Sequence, residues 1–187
     1  MNREETVFDG KIGEVVHTRQ TDGRVFEQYR RPPGTRLVIV SPDNEILITK
    51  EHRAETGGID LRLPGGKVRD SIADYRELLA SGHAVEQAAK EAAIKEALEE
   101  TGLIVTQPEL LTIANAGATV DWDLYYYLVT DYQQSANGQQ LETGEQIEVS
   151  WMSIEAIKAA INAGQMQEWR SVGVLLGLVF PKLTRNQ

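Results

Sequence analysis

The sequence predicts an α/β fold, a mixed β-sheet with helices packed on it, and three observations carry that expectation. Strand-like and helix-like patterns are mixed along the chain without strict alternation. The run from Leu37 to Val40 is continuously apolar, as in a strand buried on both faces. From Asp70 to Gly102 the pattern turns helical, with a break near Ser81-Gly82. A chain of 187 residues suits one domain or one domain with a small extension.

Each element has its own justification. "VFDGKIGEVVHTRQTDGRVFEQYRR" reads as two strands joined through the turn Thr21-Asp22-Gly23. Pro32-Pro33-Gly34 interrupts the pattern. "TRLVIVSPDNEILITKEHR" supplies two more strands across Pro42-Asp43-Asn44, and "IDLRLPGGKV" is a short strand running into a Pro-Gly-Gly turn. Two helical pieces follow. "LLTIANAGATVDWDLYYYLVTDY" reads as two strands, "SANGQQLETGEQ" as a polar loop and "IEVSWMS" as a last strand. "SIEAIKAAINAG" is a helix with Ser153 as its N-cap and Gly164 as its stop, and "EWRSVGVLLGLVF" is a closing helix.

Composition narrows the function classes. With 41% hydrophobic and 25% charged residues, the chain fits an ordinary soluble globular protein. A net charge of −9 argues against binding to nucleic acid backbones. Cysteine is absent, which removes disulfides and thiolate metal sites and fits a reducing, cytoplasmic setting. No apolar leader and no run of 18 apolar residues occurs, so no membrane partner is expected.

The stretch "AAIKEALEETGL" carries the chemistry. On a helix, Glu96, Glu99 and Glu100 share one face, and Val85, Ala89, Ala92 and Ala93 project to that face too. Carboxylates that continue an alanine stripe are partly buried, and without partners that is costly. They also repel one another. A hard divalent cation, Mg²⁺ or Mn²⁺, satisfies such a group, whereas a solvated charge stripe is the bland alternative.

Lys95 through Leu103 fill in order the second half of the Nudix signature: a basic residue, Glu, an aliphatic, any residue, two Glu, any residue, Gly and an aliphatic. Pro64-Gly65-Gly66 stands where the first half begins. The chain resembles the Nudix hydrolases. Its flanks, "FEQYRRPPGTRLVIV", "EILITKEHRAETGGIDLRLPGGKV" and "GEQIEVSWMSIEAIKAAINAGQMQEW", are similar to the ADP-ribose and nucleoside-diphosphate-sugar pyrophosphatase branch. The resemblance implies an α/β/α sandwich with a mixed sheet over residues 36–187, preceded by a β-hairpin arm over residues 1–35. It also implies Mg²⁺-dependent hydrolysis of a small nucleotide, ADP-ribose first among substrates, by a homodimer paired through the arm.

The resemblance further implies Glu96, Glu99, Glu100 and the Gly65 carbonyl as metal ligands, with Gly66 beside the substrate. A general base is expected in the loop "QLETGEQIEV", at Glu145 or Glu142, with Glu145 preferred for its place next to the strand and to Gly144. Arg30, Arg31 and Arg53 are candidate phosphate or ribose contacts, or else surface ion pairs. Tyr29 and Trp122 are candidates for stacking on a base or for packing.

Two departures qualify the resemblance. A longer stretch, with an insertion at about 69–84, separates the halves of the motif, and Gln87 stands where the family has Glu. Lys95 replaces the usual Arg, keeping the charge without the bidentate fork. The insertion reads as a short extra helix, either a surface elaboration or a lid or subunit contact beside the site. Two rival functions are triphosphate sanitation and a nucleotide-sensing module without turnover.

Overall fold

We describe a computed structural model of the chain, covering residues 3–53 and 57–185. The strands, in chain order, are β1 (Arg3–Asp9), β2 (Glu14–Arg19), β3 (Val25–Arg30), β4 (Gly34–Ile39), β5 (Ile46–Arg53) and β6 (Gly58–Arg62). Helices α1 (Ile72–Ser81) and α2 (Val85–Thr101) come next. Strands β7 (Leu103–Ile104), β8 (Glu109–Ala114), β9 (Val120–Asp121), β10 (Leu124–Val129), β11 (Gln133–Gln134) and β12 (Ile147–Met152) follow. The chain closes with α3 (Ile154–Asn162) and α4 (Trp169–Val174), then a π-helical turn (Leu175–Val179) leading into α5 (Phe180–Thr184).

The centre is β4, parallel to β10, which in turn runs antiparallel to β8. A second sheet has the order β12-β5-β6, all antiparallel, and touches the first through a bridge between Val40 and Ile46. Side-chain alternation along β4 and β10 sends residues to two separate cores. Leu37, Ile39, Tyr125, Tyr127 and Val129 meet α2 through Ala88, Ala89, Ala93 and Ala97. Val38, Val40, Leu124 and Tyr126 meet Ile157, Ile161, Val172, Leu175 and Phe180 of the C-terminal helices. The result is the expected α/β/α sandwich, and the run from Leu37 to Val40 is continuously apolar because neither face reaches water.

The alanines explain how α2 sits so close. Small side chains let the helix lie flat on the sheet, and Tyr127 reaches across to donate its hydroxyl to the Glu86 carbonyl at 2.9 Å. The buried stripe is Ala88, Ala89, Ala93 and Ala97, with Val85 and Ala92 only half-buried. That is a rotation from the expected stripe, and it leaves the glutamates flanking the contact.

The N-terminal segment differs from the expected hairpin. It forms three antiparallel strands, extended by the parallel pair β3–β9. The additional break falls at Gly10–Gly13, closed by a hydrogen bond from the Gly10 N–H to the Gly13 carbonyl. A Cβ at Gly13 would stand 2.4 Å from the Tyr29 hydroxyl, so glycine is needed for that approach.

The insertion is α1, capped by Ser71 and ended by Gly82 at φ 74°. It docks on the N-terminal sheet. The Ile72 N–H donates to the Lys11 carbonyl at 3.0 Å, and Arg76 pairs with Asp9 at 2.9 Å and with the buried Glu14. Glu14 also faces Arg30 at 3.5 Å and accepts from Thr6 at 3.0 Å. Removing a member of a buried ion cluster leaves its partners uncompensated. Glu14→Ala is therefore expected to cost about 2–3 kcal/mol in urea unfolding, against at most about 0.5 kcal/mol for an ordinary surface change. A loss at the surface level would show that the cluster does not hold the insertion to the sheet.

Candidate active site

The site is built on a chain segment that has to be glycine. Residues 64–66 run alongside β4, with the Pro64 and Gly66 carbonyls accepting from the Leu37 and Thr35 N–H groups, each at 2.9 Å. Gly65 lies between them at φ 140°, where side chains rarely go, and a Cβ there would meet the Thr35 oxygen at 2.2 Å. Its N–H turns to the helix instead and donates to Glu100 Oε2 at 2.7 Å. A Cβ at Gly66 would fall 1.9 Å from Glu96 Oε1. Backbone and two carboxylates thus share one small volume.

Burial pushes the Glu96 carboxyl up to about 7, with Glu99 adding repulsion. It pushes Glu100 up to about 8, against the opposing Gly65 N–H, and Glu96 adds to the rise. Glu99 is drawn to Lys95 at 2.8 Å, one helical turn back. The three glutamates accordingly reach one cleft wall without converging, and among the described residues no three acidic or histidine side chains form a ready-made cation cage. The donor set still suits a hard divalent ion. The Lys95 and Arg36 charges only partly offset the cost of burying these two carboxylates, and oxygen ligands of this kind favour Mg²⁺ or Mn²⁺.

The loop with Glu142 and Glu145 is anchored at the end of α2. Gly102 caps the helix at φ 70°, and its carbonyl accepts from the Ser135 N–H at 2.8 Å. The Gln140 N–H donates to the Glu99 carbonyl at 2.9 Å. Gln139 bonds the carbonyls of Glu100 and Ile147. Both glutamates line the cleft from exposed positions, and the Glu142 N–H donates to Glu145 Oε2 at 3.0 Å. The Glu145 charge acts on Glu96 and Glu100, whereas that of Glu142 acts on Lys95.

Also lining the cleft, Arg36 is buried and paired with Glu168 at 2.8 Å. Burial disfavours both charges, and their mutual attraction outweighs it, holding Arg36 above and Glu168 below their ordinary values. Arg31 and Arg170 lie over the Trp122 ring, at 4.2 and 4.0 Å from its centre.

The other expected residues fall as follows. Arg31 lines the cleft. Arg30 does not reach it and is taken up by Glu4 at 2.9 Å and Asp121 at 3.0 Å. The Arg53 side chain lies outside the described residues. Tyr29 packs on Gly13. Gln87 is exposed and bonded to Glu91 at 3.0 Å, on the helix side turned from the glutamates. Arg36, Glu168, Trp169 and Arg170 escaped the sequence reading. Arg36 sits one residue before the apolar run, and that position was its only signal.

The NUDIX domain model matches residues 30–171, and the chain belongs to that family. It is a Nudix hydrolase. No curated protein matches its sequence. A solved structure titled "Crystal structure of ADP compounds hydrolase" shares the fold, with a TM-score of 0.64, 18% identity, and coverage of 98% of this chain and 90% of that one.

Two outcomes follow from this geometry. Gly66→Ala should leave the fold intact, since only a side-chain tip must move, yet cut turnover by at least about 10²-fold through displacement of Glu96; near-normal activity would separate Glu96 from the chemistry. The second concerns pH. In the metal-free protein Glu100 binds its proton more tightly folded than unfolded, so its penalty is absent below about 4.5 and complete above about 8. Glu100→Gln removes that penalty. Its stability advantage over the unsubstituted protein should grow across this window by on the order of 3–5 kcal/mol, measured in chelator by urea unfolding. A difference that stays flat with pH would mean that the carboxyl is not desolvated.

Proposed function

We propose that this enzyme hydrolyses the pyrophosphate of a nucleoside diphosphate linked to a second moiety, ADP-ribose or a nucleotide sugar, with Mg²⁺ or Mn²⁺ as cofactor. The observation that carries the reading is that one cleft gathers unlike groups. The carboxylates Glu96, Glu99 and Glu100, the arginines Arg31 and Arg170 with Trp122, and residues of α1 all line it. Its volume of about 1620 Å³ exceeds the roughly 300–1,000 Å³ of most small-molecule pockets, leaving room for two linked groups. The ADP compounds hydrolase of like fold agrees with this reading.

In this reading Glu96 and Glu100, with Glu99 and the Gly65 carbonyl, would hold the divalent ions. Such ions neutralise phosphate oxygens and make bound water more acidic. Glu145 takes the proton from the attacking water, and Arg31 neutralises a phosphate on the nucleotide side. Lys95 keeps Glu99 oriented. The N-terminal sheet, exposing Val7, Phe8, Ile12 and Val25, is the surface on which two copies pair. Among the described residues no helix is long and apolar enough to cross a membrane.

Product analysis with Mg²⁺ against ADP-ribose, nucleotide sugars, dinucleoside polyphosphates and nucleoside triphosphates tests the substrate. AMP and a sugar phosphate should predominate, and preferential turnover of triphosphates would replace this reading with sanitation. Glu145→Gln should lower kcat by about 10²–10⁴-fold while the metal concentration for half-activity barely moves. If Glu142→Gln alone shows that pattern, the base is Glu142.

A further inference from the structure

Among the described large apolar side chains, Trp169 is the most exposed, at 71%. It opens α4 on the wall of the cleft, between Glu168 and Arg170. An indole offers on the order of 150–250 Å² to bury, so leaving it in water forgoes a large contact.

Its mounting is rigid. The Leu61 N–H donates to the Gln165 carbonyl at 2.8 Å, and the Gln167 N–H to Asp60 Oδ1 at 3.0 Å, fixing the approach to α4 on β6. Glu168 is fixed by Arg36 at 2.8 Å and by the Ser171 hydroxyl at 3.0 Å. Arg170 donates to the Trp122 carbonyl at 2.7 Å. Both neighbours are pinned, so the backbone cannot carry Trp169 away from the cleft.

Beside Trp169, the buried Glu168 Oε1 and Arg31 Nε make no hydrogen bond among the described residues, and Glu168 Oε1 has only the 3.6 Å ion pair with Arg170. Buried polar groups are ordinarily satisfied, so the wall next to Trp169 is short of hydrogen-bond partners. Trp122 does not offer the same open face, because two guanidinium groups already lie over its ring.

We infer that Trp169 is the platform on which the nucleobase of the substrate stacks. The inference rests on the nucleoside-diphosphate reading above and places the base against α4. A planar heteroaromatic ring matches a flat indole on a fixed backbone, and Arg31 and Arg170 on the same cleft wall suit the phosphates attached to that base. Stacking on an aromatic side chain contributes about 1–3 kcal/mol per base. It acts remote from the reacting atoms, hence on ground state and transition state alike.

The test uses the full chain with Mg²⁺, the best nucleoside-diphosphate substrate from the screen, and two competitive inhibitors, ADP and inorganic pyrophosphate. Trp169→Ala should raise KM and the ADP inhibition constant by on the order of 10-fold, with kcat within about twofold. The pyrophosphate inhibition constant should not move, because that ligand has no base. Trp169→Phe should restore most of the loss. Unchanged ADP inhibition would overturn the inference, as would equal weakening of ADP and pyrophosphate, or a changed oligomeric state with ADP affinity intact. If the unsubstituted enzyme neither hydrolyses a nucleoside-diphosphate compound nor binds ADP, the substrate reading itself falls. A Trp169→Ala defect confined to base-bearing ligands, with pyrophosphate inhibition unchanged, supports the inference.

Discussion

The glycine turn at 64–66 is the constraint on which this structure depends. It is tied to β4 by two main-chain hydrogen bonds and to α2 by the Gly65 N–H. The strand is fixed by burial on both faces, and the helix by alanines pressed to the sheet. With both sides immovable, the space left between them admits backbone and carboxylate oxygen only. The high protonation tendencies of Glu96 and Glu100 follow from that closeness. A site assembled this way holds unfavourable charge in readiness, and the stability of the surrounding sandwich sustains it.

Legibility in the sequence followed the kind of physics involved. Local signals read well. The continuous apolar run of β4, the Ser153 and Gly164 limits of α3, the break at Ser81-Gly82 and the carboxylates of α2 all depend on neighbours in the chain. The second break in the N-terminal segment was missed because Gly10 and Gly13 act through contacts with Phe8 and Tyr29 rather than through a recognisable hairpin turn. Partnerships across long separations were also hidden. Arg30 and Arg31 are adjacent and chemically identical, yet one turns to Glu4 and Asp121 and the other to Trp122 and the cleft. Strand alternation predicts that they diverge but not which one goes where. The Arg36–Glu168 pair spans 132 positions and leaves no mark on periodicity.

Charge organises the molecule into two regions of different character. One is the cleft, where carboxylates stand near each other with arginines held at a distance. The other is the cluster of Glu4, Asp9, Glu14, Arg30, Arg76 and Asp121, where opposite charges meet within 4 Å and close up three parts of the chain. Exposed members of that cluster are screened by salt, and Glu14, at 2% exposure, is largely protected from it.

The insertion shows what the signature specifies. Gly66 and Glu96 touch although α1 and the first turns of α2 intervene, because both ends of the detour return to the same sheet. Lengthening a surface loop adds entropy only as the logarithm of its size, so the detour costs little once its helix has a surface to rest on. The motif is therefore a spatial object that the chain can enter by routes of different length. A search keyed to linear spacing would score this protein as damaged, whereas one keyed to the approach of a glycine backbone to a carboxylate pair would count it intact. For enzymes built this way, divergence can proceed by lengthening what lies between the two halves, adding new walls to the cleft while the meeting point of glycine and glutamate stays where it was.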